Sequence, residues 1–129
     1  MLRKTVEQML AEANQLVPAV TPQEAMQWLN DNDTLLLDVR PASAIADTGT
    51  VEGSVVIPRG LLEFKADPSF LMHDPVMDPE KRVVIFCTAG GQAALAGQTL
   101  KTMGYDRVFN GGGLEAWKDA GASIVHPSS

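Results

Sequence analysis

With a single cysteine, Cys87, the chain can form no intrachain disulfide, and its two histidines, His73 and His126, are scattered far from it in sequence. Zinc sites need several Cys or His ligands at short fixed spacings, so no metal is expected. A formal net charge of −6 without a cluster of Lys or Arg argues against nucleic acid as a partner, because that surface requires a basic stripe. No apolar run approaches the length of a membrane span. The opening residues MLRKTVEQMLAEANQLV lack the continuous apolar core of a signal peptide, and Glu7 and Glu12 weaken an organelle-targeting reading. The expected compartment is therefore the cytoplasm, where a free thiol stays reduced. There is no internal repeat and no low-complexity segment.

What is present suits one globular domain: 129 residues, 45% of them hydrophobic, enough to build a core without disulfides or metal. Leu2, Val6, Met9, Leu10, Ala13, Leu16 and Val17 recur at helical spacing, so residues 3–16 read as an amphipathic helix within an N-terminal extension, 1–17. Docking on the chain's own body is expected; a homodimer or a protein partner held through this helix is the alternative. Thr21-Pro22-Gln23-Glu24 starts a helix over about 22–31, with a capping residue, Pro at the first helical position and Glu three residues after the cap. Short apolar strands follow at 35–39, 55–57, 83–86 and 107–109, alternating with helical segments at 92–103 and 114–119. That alternation predicts an α/β domain with a parallel sheet covered on both faces and its chemistry at the carboxyl ends of the strands. Gly111-Gly112-Gly113 lacks nucleotide-binding spacing and reads as a turn feeding the last helix, so no cofactor is implied. Residues 65–80 read as an irregular connection whose Phe70, Leu71 and Met72 either wall a pocket or tuck onto the core. His73 within it is expected to be solvated.

Cys87 stands where the strand VVIF runs into Thr88-Ala89-Gly90-Gly91-Gln92 and then a helix. A lone cysteine after an apolar strand is most often an inert small hydrophobe. An inert cysteine, however, needs neither the Gly-Gly turn nor the helix start. Backbone N–H groups of Thr88 to Gln92, with the positive end of the helix dipole, would stabilise a thiolate and an oxyanion bound above it. Asp38 reads as a strand-end carboxylate accepting backbone N–H bonds in the next turn. Arg40 either pairs with Asp47 or Glu52 or faces the pocket, and Arg59 follows another strand end.

LLLDVR at 35–40, G-x-V-x-G-S-V-x-I-P at 49–58, FCTAGGQAALA at 86–96 and GGGLEAWKDAG at 111–121 together resemble the rhodanese family of sulfurtransferases, over roughly residues 18–124. The resemblance implies a three-layer domain with a central parallel sheet of about five strands, followed by a tail at 125–129. It implies that Cys87 carries a sulfane sulfur as a persulfide, passing it from a donor such as thiosulfate or another persulfide to cyanide or a thiol. It also implies that Thr88, Ala89, Gly90, Gly91 and Gln92 form the substrate-binding loop, while Asp38 and Arg40 match the strand-end signature.

The chain departs from the family pattern at Gln92, where Arg is frequent, and at Ala44, Ile45 and Thr50, where acidic, Tyr and His residues are common. A neutral amide at 92 gives up a charge-assisted contact worth about 1.5–3 kcal/mol to an anionic donor, unless Arg59 or Arg40 compensates. The acidic surface also slows an approaching anion. A cysteine phosphatase would need Arg where Ala93 stands, and a thiol-redox or arsenate-reducing role lacks a resolving cysteine. The alternative from another class is a non-catalytic rhodanese-like module that binds a partner or senses redox state.

Overall fold

Alternating strand residues divide the core in two. Leu35, Leu37, Val39, Val83, Ile85 and Cys87 bury toward one side, while Leu36, Val84 and Phe86 bury toward the other. Side chains that alternate across a pleated strand and are apolar on both faces require cover on both. In the computed structural model, which describes residues 1–127, that cover is helical.

The order is α1 (Val6–Leu16), α2 (Pro22–Trp28), β1 (Thr34–Asp38), α3 (Ala42–Thr48), β2 (Thr50–Val51), β3 (Val55–Val56), a 3-10 turn (Arg59–Leu61), α4 (Leu62–Ala66), β4 (Arg82–Cys87), α5 (Gly91–Met103), β5 (Val108–Gly113), α6 (Leu114–Asp119) and β6 (Ile124–Val125). The central sheet is parallel with order β3-β1-β4-β5, and β2 pairs antiparallel with β6. Among the described residues it has four strands where about five were expected, and beyond β5 Ala19 forms a single parallel bridge with Asn110. Val125, expected to open the tail, pairs with Thr50 instead. Residues 128 and 129 of that tail lie outside the described residues.

Helix starts follow local chemistry. Thr5 and Gln8 form a capping box, so α1 begins at Val6 rather than at residue 3; Thr21 and Glu24 do the same for α2. α1 docks on α5 of the same chain, burying Ala13 and Val17. Gly97 makes this approach possible, since a Cβ there would lie 2.8 Å from Val17 Cγ1. Val6, Met9 and Leu16 of the same apolar stripe remain exposed. Among the described residues, no helix is long and apolar enough to cross a membrane.

The 65–80 connection is anchored by Met77, which is fully buried, and by His73, whose Nε2 lies 2.8 Å from the Met77 carbonyl oxygen rather than in solvent. Tyr105, the only tyrosine, donates its hydroxyl to the Ala66 carbonyl at 2.7 Å, joining the end of α5 to α4. Burial, and then the negative charges of Asp78 and Asp67, push its phenol from the ordinary 10.0 up to about 12. The neutral phenol is thus favoured in the folded state. This stabilisation is complete below pH 10.0 and lost as pH rises through about 12. Tyrosinate absorbance is expected to appear near the upper value or together with unfolding; titration near the ordinary value in a folded chain would contradict this packing.

Candidate active site

β1, β3 and β4 bring their carboxyl ends together. Val39 N–H donates to the Phe86 carbonyl at 3.3 Å, Ile57 N–H to that of Asp38 at 3.0 Å, and Arg59 N–H to that of Val39 at 3.0 Å. Cys87 closes β4 and is buried, 2% exposed, with its side chain on the face covered by α5. Only Thr88, Ala89 and Gly90 separate it from the helix.

This short loop turns back on the sulfur: Gly90 N–H donates to Cys87 Sγ at 3.0 Å. Gly90 precedes α5 with φ of 96°, a left-handed conformation that disfavours residues with a Cβ. The first intrahelical bond runs from Ala94 N–H to the Gly90 carbonyl at 3.0 Å, so the amides of Gly91, Gln92 and Ala93 have no acceptor within the helix. They give α5 a positive end, and Gly90, which precedes it, is the residue whose N–H meets the sulfur. Thr88, Ala89 and Gln92 are exposed around it.

Neither candidate arginine joins them. Arg40 is 2% exposed; it donates through Nε and Nη2 to the Asp38 carboxylate, Nη2 at 2.8 Å, through Nη1 to Thr48 Oγ1 at 2.8 Å and through Nη2 to the Gly49 carbonyl at 2.7 Å. Its partner is Asp38, not Asp47 or Glu52, and its guanidinium is committed to the scaffold instead of a donor. Asp38 also accepts the Arg40 backbone N–H at 3.0 Å and the Thr50 hydroxyl at 2.7 Å, so Thr50 has a structural acceptor of its own. Arg59 pairs with Glu63 at 2.9 Å and donates to Thr99 Oγ1 at 2.9 Å. Thr99 is about 12 Å along α5 from its first residue, so this arginine is drawn away from the helix N-terminus.

Sequence reasoning missed the contribution of β5. Gly111 to Gly113 are not a free turn; they end this strand, which carries one more residue than β4 between the pairs Ile85–Asn110 and Cys87–Gly113. Such a bulge re-aims backbone beside a site. A Cβ on Gly113 would fall 2.2 Å from the Thr88 carbonyl oxygen, so only glycine lets the strand pass against the cysteine loop. Asn110 Nδ2 donates to the Gly90 carbonyl at 3.0 Å, and its Oδ1 accepts Gly112 N–H at 2.8 Å. Leu10 and Asn14 of α1, with Val20 and Pro22, line a cavity of about 470 Å³ together with Gly90 and Gly91 of the cysteine loop, though not with Cys87 itself. Phe70, Leu71 and Met72 are exposed and do not line it. Among the described residues, no group of three or more His, Cys, Asp and Glu is placed to hold a metal ion.

A buried thiol under an amide-lined helix start can act as a covalent nucleophile toward a group whose leaving or transferred atom carries negative charge. Known proteins with similar features bear on which group. The model of the rhodanese-like domain matches residues 21–120. The Arabidopsis thaliana protein High Arsenic Content 1, mitochondrial, is 38% identical over 93 residues, covering 66% of this chain and 53% of its own length. The chain thus spans about half or less of the curated relatives it matches. Among solved structures, a protein of unknown function from Rhodopseudomonas palustris, described as a possible tyrosine phosphatase, is 32% identical with a TM-score of 0.89, each chain being 97% covered. The polysulfide-sulfur transferase homodimer of Wolinella succinogenes is 29% identical with a TM-score of 0.71, over 93% of this chain and 86% of the other.

Proposed function

Since the chain belongs to the rhodanese-like domain family, we propose that it is a sulfurtransferase that loads a sulfane sulfur on Cys87 from a persulfide or polysulfide rather than from thiosulfate. The observation that carries this reading is the Gly90 N–H on Cys87 Sγ at 3.0 Å, immediately before α5, while Arg40 and Arg59 are bonded elsewhere. The thiolate attacks the sulfane sulfur of R–S–S⁻. The S–S bond breaks and R–S⁻ departs with the electron pair, while a new S–S bond makes the Cys87 persulfide. Cyanide or a thiolate then takes the outer sulfur and restores the Cys87 thiolate, with no net oxidation and no cofactor.

Donor choice follows from the missing guanidinium. Thiosulfate is a dianion, and a loop with Gln92 and no arginine of its own offers it neutral donors, backbone and side-chain amides and the Thr88 hydroxyl. The reacting end of a persulfide carries one charge, which those amides can match. The polysulfide-sulfur transferase among the similar structures supports the same donor class. Phosphatase chemistry is the second reading, raised by the Rhodopseudomonas palustris protein. It needs an arginine clamp five residues past the nucleophile's neighbour, and Ala93 stands there, fully buried.

The test compares thiocyanate formation from thiosulfate and from glutathione persulfide, for the wild type and Gln92→Arg. The wild type is expected to prefer the persulfide. The substitution should raise kcat/KM for thiosulfate by about tenfold, the lower end of a charge-assisted bond's worth at an exposed position. An unchanged or raised KM for thiosulfate would show that position 92 does not face the donor.

A further inference from the structure

Gly90 supplies the amide that meets the sulfur, yet a glycine at φ of 96° has little of its own to hold its peptide planes in place. Its carbonyl is fixed from two sides, by Ala94 N–H within α5 and by Asn110 Nδ2, each at 3.0 Å. The orientation of the Asn110 amide is itself set, because Oδ1 accepts Gly112 N–H at 2.8 Å and so turns the NH₂ group toward Gly90. The backbone of the same residue is held by the segment after α1: Asn110 N–H donates to the Pro18 carbonyl at 2.8 Å, and Val20 N–H to the Asn110 carbonyl at 2.9 Å.

We propose that Asn110 is a positioning residue for sulfur transfer, its side-chain amide holding Gly90 so that the Gly90 N–H stays on Cys87 Sγ, and its backbone tying this loop to residues 18–20. The proposal rests on the sulfurtransferase reading of Cys87 and names a residue that the cysteine loop itself does not contain. Alanine at 110 removes both side-chain contacts. Aspartate keeps the acceptor for Gly112 N–H but sets a carboxylate oxygen against the Gly90 carbonyl, and only its protonated form can donate there.

The experiment measures sulfur transfer from glutathione persulfide to cyanide, and separately the alkylation rate of Cys87 by iodoacetamide, for wild type, Asn110→Ala and Asn110→Asp. Misplacement of a reacting group by about 1 Å can cost roughly a hundredfold, so kcat is expected to fall about ten- to a hundredfold in both variants with donor KM little changed. The alkylation rate should change alongside it. The ratio of Asn110→Asp to wild type, taken at each pH, should rise as pH is lowered from about 7 to about 5, since protonation restores the donor. The ratio is taken only at pH values where circular dichroism shows both chains fully folded, so that a role confined to stability, which acts through the folded fraction, leaves it flat. Wild-type kcat and alkylation in folded Asn110→Ala would overturn the proposal; should that variant fail to fold, a pH-independent ratio for Asn110→Asp would overturn it equally. Alkylation needs no sulfur transfer. A wild type that is alkylated in an Asn110-dependent way yet moves no sulfur would support the positioning role and overturn the functional reading alone.

Discussion

Cys87→Ser is expected to keep its fold and lose sulfur transfer to the level of the uncatalysed reaction. The hydroxyl is isosteric enough to remain under Gly90 N–H, so unfolding free energy should stay within about 1 kcal/mol of wild type. Chemistry is another matter. The first step needs a polarizable anion that attacks divalent sulfur, and a serine hydroxyl has no histidine to serve as its base: among the described residues His73 is held by the Met77 carbonyl on the 65–80 connection and His126 lies near Gly49. No other cysteine exists to take over. Thiocyanate formation by the serine variant above background, in a preparation free of wild-type chain, would refute covalent transfer through Cys87.

Asp38→Asn should be the most destabilising of the conservative substitutions. Its carboxylate faces four donors, the backbone N–H, Nε and Nη2 of Arg40 and the hydroxyl of Thr50, and both charged partners are almost wholly buried. The amide leaves a buried guanidinium without its counter-charge and turns an N–H₂ group toward a donor. Breaking a buried pair from one side costs about 3–5 kcal/mol, a large share of the roughly 5–15 kcal/mol that holds a domain folded. In a chain of this size that corresponds to a fall in Tm of about 10–20 °C. The exposed Arg59–Glu63 pair offers the contrast, since Glu63→Gln should change stability by less than about 1 kcal/mol. A loss at Asp38 no larger than that at Glu63 would mean that the pair does not anchor the ends of β1, α3 and β2.

The cysteine loop was legible in the sequence because its causes are local. Val83 to Phe86 make a buried strand, Gly90 and Gly91 permit the turn, and the Ala-rich segment after them makes a helix, all within about twenty residues. Capping pairs at Thr21 and Glu24 were legible for the same reason. What stayed hidden depends on partners distant in sequence. β2 and β6 are two residues each and exist only through each other. α3 begins after Pro41 with no side-chain cap, so nothing local announces it. The glycines at 111–113 read as a turn because their actual requirement, room for Thr88 and Val84, belongs to the packed sheet. For Arg40 the sequence offers both an ion pair with Asp47 or Glu52 and a place facing the pocket, and neither reading finds its acceptor, Asp38, two residues back. Asn110 carried no signal at all: its partners come from the loop before α5, the bulge of β5 and the linker after α1.

Whether Cys87 takes up a sulfane sulfur is tested most directly by the intact mass of the protein after incubation with glutathione persulfide. The wild type should gain the mass of one sulfur atom, lose it on treatment with cyanide, and gain less from thiosulfate under the same conditions; Cys87→Ser should gain none. A wild type that takes up no sulfur from either donor, or a serine variant that takes up as much as the wild type, would contradict the account.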